Sequence, residues 1–142
     1  MDKSELKKFV NQILAKKGFP PVNNFAAEFA DGIQFQRVFN IMFDESIDCR
    51  LSPSALMDDR LINWSKINAT ICFNFLQQRF YLVKPTMKSL AKGTNSDCIF
   101  KLLKVMINTQ QQIYHEATQN TEAIADISDK LESDKNLFDE DT

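Results

Sequence analysis

The strongest constraint on this chain is the spacing of its large apolar residues, which recur at steps of three and four along most of its length. No stretch alternates apolar and polar residues with β-branched enrichment over the length of a strand, so the pattern predicts helices and no strands. Turn-forming residues are scarce, with 3 Gly and 4 Pro in 142 residues, while Phe alone contributes 12. Few breaks and many bulky side chains favour long helices around one core, and 142 residues is the size of one such domain.

Local signals divide the chain. Asp2 and Glu5 have the spacing of a helix N-terminus, followed by Leu6, Phe9, Val10, Ile13 and Leu14 on one stripe, with Gly18 and Pro20-Pro21 as the stop. This first helix, about 3–17, carries Lys3, Lys7, Lys8 and Lys16 on its outer face. Residues 24–43 form two short helices broken at Asp31-Gly32, with Phe25, Phe29, Phe35, Val38, Phe39 and Met42 turned inward. Ser52-Pro53 reads as a helix start with proline in the first turn, continuing through Met57. A long central helix is expected from about 59 to 81, its stripe being Trp64, Ile67, Ile71, Cys72, Phe75, Leu76 and Phe80. Lys84-Pro85 opens a short helix ending at Gly93, and the run 94–97 caps a closing helix near 96–112 with Ile99, Leu102, Leu103, Met106 and Ile107 inward.

Beyond residue 110 aromatics thin out and acidic residues accumulate. Ile113, Ala117, Asn120, Ile124, Ile127 and Leu131 still follow steps of four and three, a weak heptad seam. It suits a helix lying on its own domain, a dimeric coiled coil or a partner-docking helix. The expected organisation is a domain over 1–112, a helical extension over 113–133 and an acidic tail over 134–142.

Catalytic patterns are not apparent. His115, the only histidine, lies among Gln111, Gln112, Tyr114 and Glu116, with no triad or metal-ligand spacing around it. Asp58-Asp59 suits a helix N-terminus, and no glycine-rich phosphate loop is present. The Phe series at 25, 29, 35, 39, 43, 73, 75, 80 and 100 falls at core spacing rather than among exposed basic residues, which speaks against a base-stacking platform for nucleic acid. Cys49, Cys72 and Cys98 form no C-x-x-C pair and read as buried thiols of a reducing compartment. The N-terminus lacks the apolar stretch of a signal peptide, and no segment reaches the length of a membrane span. The expectation is a non-enzymatic intracellular domain without cofactor or metal.

Charge is informative once it is divided. The overall −2 conceals a basic part, residues 1–113, with 15 Lys and Arg against 10 Asp and Glu, and an acidic part, residues 114–142, with 2 against 9. Lys84, Lys88 and Lys92 are spaced by four and share a helix face; Lys101 and Lys104 follow on the closing helix. Such a basic face is either ordinary solvated surface or the footprint of an acidic partner.

A resemblance sharpens these alternatives. Phe29-Ala30-Asp31-Gly32-Ile33-Gln34-Phe35-Gln36-Arg37-Val38-Phe39 resembles the L-x-D-G-x-x-L-x-x-L-L signature of calponin-homology domains. Asn63-Trp64 on the central helix, the Val83-Lys84-Pro85 loop with the short helix to Gly93, and the 99–107 stripe are similar to later parts of that family's pattern. The match covers roughly 3–110 and is most similar to the N-terminal domain of Hook-type dynein adaptors; sperm-flagellar microtubule-binding relatives share its Asp-Gly and Asn-Trp. Hook-type domains break after the closing helix, whereas residues 110–119 here contain no turn signal.

The resemblance implies an all-α bundle of about seven helices with a helical extension, in a cytoplasmic, microtubule-, centrosome- or cilium-associated protein. It implies capture of an amphipathic helix of a dynein light intermediate chain, for which Ile113, Tyr114, Ala117, Ile124 and Ile127 are the candidate surface. The alternatives are direct microtubule binding through Lys84, Lys88, Lys92, Lys101 and Lys104, or homodimerisation through the extension as a structural module.

Overall fold

A computed structural model describes residues 1–75 and 82–133, with side chains described for 1–73 and 82–118. Among the described residues, six α-helices and one π-helical stretch follow in order: α1 Lys3–Lys16, α2 Phe25–Glu28, α3 Ile33–Phe43, α4 Met57–Ile67, the π-helical Asn68–Phe75, α5 Lys84–Lys92 and α6 Ser96–Ser133. The fold is all-α, and no strand occurs among the described residues. The chain divides into two units, Met1–Thr109 and Gln110–Thr142. None of the described helices is long and apolar enough to cross a membrane.

Helix ends follow the local chemistry. The Asp2 carboxylate accepts from the Glu5 amide at 2.8 Å at the start of α1, and Gly18 leaves the helix with φ +78°. Asn24 caps α2 through the Ala27 amide, while Glu28 accepts from the Asn23 and Asn24 amides. Gly93 closes α5 at φ +71°, and Asn95 accepts from the Asp97 amide at the start of α6.

Between the helices, asparagine side chains do the joining. Asn11, Asn40 and Asn68 each pair with both backbone groups of one later residue: Val22, Ile47 and Leu82, with the amide donated to Oδ1 and Nδ2 donating to the carbonyl. Asn63 does the same to Ser52 and donates as well to the Asp31 carbonyl. Each side chain thus satisfies two loop groups that have no helical partner, as buried or half-buried backbone requires.

Asn63 also accounts for the main departure from the sequence reading. Ser52-Pro53 starts no helix; α4 begins at Met57 after a non-helical segment. The Ser52 amide and carbonyl are taken by Asn63, the Ser54 carbonyl accepts from Arg60 Nε at 2.8 Å, and the Ser54 hydroxyl bonds Asp59. Those long-range partners compete with the i to i+4 bonds of a local turn. The central helix departs too, changing from α to π geometry at Asn68. Phe73 on that stretch is 43% exposed rather than in the core. The expected members Leu76 and Phe80 and the expected end near 81 lie outside the described residues, as does the Phe75 side chain.

The core of the first unit is built on Trp64, Phe29, Phe35, Phe39, Leu6, Leu14, Ile67, Ile71, Ile99, Leu103 and Met106, all essentially solvent-free. Trp64 packs against Phe35 at 5.6 Å between ring centres and donates its indole N–H to the Ala30 carbonyl at 2.9 Å, so its polar end is satisfied. Among the described residues, no buried side-chain nitrogen or oxygen lacks a hydrogen-bond partner.

Gly32 is where backbone and core meet. Its φ is +82°, and an added Cβ would lie 2.5 Å from Ile67 Cδ1 and 3.6 Å from the Trp64 ring. Gly18 has a similar φ, +78°, but open space around it. Gly18→Ala is therefore expected to cost about 1 kcal/mol from the left-handed conformation alone. Gly32→Ala should cost about 2–3 kcal/mol, because crowding of Ile67 is added. Urea midpoints for the two variants measure the difference, and equal costs would refute the packing argument.

Candidate functional site

All five lysines of the candidate basic face, Lys84, Lys88, Lys92, Lys101 and Lys104, are exposed. At 100° per residue, Lys84, Lys88 and Lys92 occupy about 80° of α5, with Lys92 nearest Pro85, Lys84 nearest buried Ala91, and the sector turned away from buried Leu90. Pro85 and Ser89 form one wall of a groove of about 450 Å³ between α5 and the first turns of α6; Cys98, Lys101, Leu102 and Val105 form the other. Lys101 thus stands on the groove's α6 rim.

On its other side, Lys101 borders a smaller depression of about 230 Å³, shared with Lys104, Phe100, Lys3 and Leu6. Here α1 delivers two further cations: the Lys3 and Lys7 ammonium groups lie 5.8 and 5.7 Å from the centre of the Phe100 ring. Both are within cation–π range. The sequence put these lysines on a separate helix, and only the packing of α1 beside α6 brings them to Lys101 and Lys104. Phe100, read from the sequence as core, is buried but underlies this cationic surface.

Two carboxylates line the same region, Asp2 and Asp97. Asp97 is hydrogen-bonded and ion-paired to Lys3, and that contact, chiefly the hydrogen bond, holds its carboxyl below the usual range. A depressed carboxylate pKa stabilises the fold above the unfolded value of about 3.9. That contribution fades as pH falls through the lower folded value. The pair is solvent-exposed, so its main consequence lies in the surface field. Asp97→Asn is expected to leave the melting temperature nearly unchanged and to tighten binding of a polyanionic probe a few-fold, measured by fluorescence anisotropy.

The thiols offer no reactive centre. Burial pushes the Cys72 pKa up to about 12 and raises those of Cys49 and Cys98, so all three stay protonated near neutrality. Cys98 is half-buried rather than fully buried, its Sγ 3.9 Å from the Thr86 carbonyl in the groove wall. His115 is exposed, and no three of His, Cys, Asp and Glu cluster with metal-site geometry among the described residues. Asp58 and Asp59 occupy the first turn of α4, as helix-start residues do.

The other candidate set lies in the second unit, on a helix that runs from Ser96 to Ser133 without interruption. Tyr114 is 75% exposed, Ala117 is exposed and Ile113 is half-buried. The Ile124 and Ile127 side chains lie outside the described residues, but by register positions 113, 117, 124 and 127 fall within about 80° of the helix. Tyr114 is about 60° outside that sector.

The chain matches no family model, no curated protein and no solved structure.

Proposed function

We propose that this chain is a non-enzymatic, calponin-homology-type interaction domain, acting in the cytoplasm without a cofactor, that binds the acidic surface of a microtubule through the lysines of α1, α5 and α6. One observation supports the reading most: α1 brings Lys3 and Lys7 to Phe100 beside Lys101 and Lys104 of α6, while Lys84, Lys88 and Lys92 share one exposed sector of α5. Converging cations raise the local positive potential and steer an anionic partner.

Co-sedimentation with microtubules and actin filaments tests this. Pelleting with microtubules is expected at low ionic strength and should fall steeply toward physiological salt, where the Debye length is ~8 Å. Absence of pelleting at low salt, or pelleting unaffected by salt, would overturn the reading.

The second reading is capture of a dynein light-intermediate-chain-like helix, as in a Hook-type adaptor, or of a second copy, by the extension. It is favoured by Tyr114, a large aromatic left 75% exposed on an uninterrupted helix. Helix capture should respond to Ile124→Asp and be largely indifferent to salt. Sedimentation with and without residues 114–142 checks self-association, and a monomer in both forms excludes the homodimer.

A further inference from the structure

We infer that the cationic surface around Phe100 is an interface for a second copy of this chain, which lays the acidic stripe of its own α6 there. The contact shares its surface with the preceding reading and holds whether or not a filament also binds.

The surface carries charge that its own neighbours do not neutralise. Lys3, Lys101 and Lys104 line the depression over Phe100, and Lys7 stands against the same ring. Among the described residues the one ion pair is Lys3 with Asp97, and the other carboxylate of the depression, Asp2, caps α1. Among those residues Lys7, Lys101 and Lys104 therefore form no ion pair.

The matching anions lie on the same sequence. Residues 1–113 hold 15 Lys and Arg against 10 Asp and Glu, a net +5, and residues 114–142 hold 2 against 9, a net −7. By register Glu122, Asp126 and Asp129 occupy positions within about 60° of α6. That sector lies opposite the one holding positions 113, 117, 124 and 127, so an apolar contact along the seam leaves it uncovered. Its steps of four and three residues rise about 6 and 4.5 Å, the same rises as from Lys3 to Lys7 on α1 and from Lys101 to Lys104 on α6.

A second copy supplies the stripe. Lys104 and Glu122 belong to one unbroken helix and are about 27 Å apart along its axis, a distance that no side-chain contact within a chain spans. Two copies related by a two-fold axis satisfy both cationic surfaces and both stripes at once, in a closed arrangement. Each chain carries only −2 overall, so little net repulsion opposes their approach.

Sedimentation velocity of the full chain tests this. At ~0.1 M salt a dimer is expected, dissociating toward ~1 M, where the Debye length falls from ~10 to ~3 Å. Lys101→Glu/Lys104→Glu and, separately, Asp126→Lys/Asp129→Lys should each weaken the dimer about 100-fold, because like charges then face each other in both contacts. Mixed in equal amounts, the two variants should pair within about threefold of the unaltered affinity, one contact being unchanged and the other having its signs exchanged. Glu45→Lys/Asp58→Lys makes the second variant's charge change at exposed positions away from the stripe. Mixed with Lys101→Glu/Lys104→Glu it restores only one contact and should pair about tenfold more weakly. A monomer at ~0.1 M salt overturns the inference, as does a dimer indifferent to salt and to both variants, which would belong to the apolar seam. Failure of the two variants to pair, or equal pairing by the control, overturns it too. Microtubule pelleting separates the two claims: a salt-sensitive dimer that does not pellet removes the filament alone, and pelleting by a chain that stays monomeric removes the second copy alone.

Discussion

Asn63→Ala is expected to destabilise the first unit by about 4 kcal/mol, a large part of the 5–15 kcal/mol that holds a domain of this size. The side chain is 2% exposed and makes three hydrogen bonds: the Ser52 amide donates to Oδ1 at 3.2 Å, and Nδ2 donates to the Asp31 and Ser52 carbonyls at 2.9 and 2.8 Å. Alanine removes all three partners at once and supplies nothing to the groups left behind. An unsatisfied buried group costs ~1–3 kcal/mol, and solvent reaching exposed Ser52 recovers part of that sum. Asn11→Ala is the comparison, since Asn11 makes two equivalent bonds to Val22 from a half-buried position that water can reach. Its expected cost is about 1 kcal/mol. Urea unfolding of both variants decides the matter: similar costs would mean that Asn63 is no more than another loop tie.

That asparagine also marks the boundary between what local sequence conveys and what it does not. Asp2, Gly32, Gly93 and Asn95 announce helix ends by their own chemistry, because a cap or a left-handed residue acts within four residues of itself. The apolar stripes of α1, α3 and the first part of α6 are legible for the same reason, each being a property of one helix. Ser52-Pro53 has an equally good local signal and still forms no helix, because its backbone groups are claimed by Asn63 and those of Ser54 by Arg60. A partner eleven residues away leaves no trace in a window of four.

The π-helical stretch left no signal in the spacing for a related reason: Ile67, Ile71 and Cys72 are buried as steps of three and four require, while Phe73, expected in the core, is 43% exposed. The site was half legible in the same sense. The Lys84, Lys88 and Lys92 row belongs to one helix, but the approach of Lys3 and Lys7 to Phe100, and so to Lys101 and Lys104, exists only after α1 has packed beside α6.

The same convergence sets the largest functional effect. Lys88→Glu combined with Lys101→Glu is expected to weaken microtubule binding about 100-fold at low salt. Each reversal removes one favourable interaction and installs one unfavourable one, so the pair alters four contacts, each worth ~0.2–1 kcal/mol at an exposed site. Net charge alone would produce some loss, and a second double variant separates that from a local effect. Lys16→Glu with Lys17→Glu makes the same change in charge at the other end of α1, about 20 Å along the helix from Lys3. At ~0.01 M salt the Debye length is about 30 Å and the control would lose affinity too, so the two variants are compared at ~0.1 M, where 20 Å is about two Debye lengths and the control should bind within a few-fold of the unaltered chain. Equal losses in the two variants would mean that the filament senses only overall charge. Full binding by Lys88→Glu/Lys101→Glu would move the interface off α5 and α6. A loss confined to that variant, shrinking as salt rises, is the result that a localised cationic site requires, because screening weakens the attraction and the engineered repulsion together.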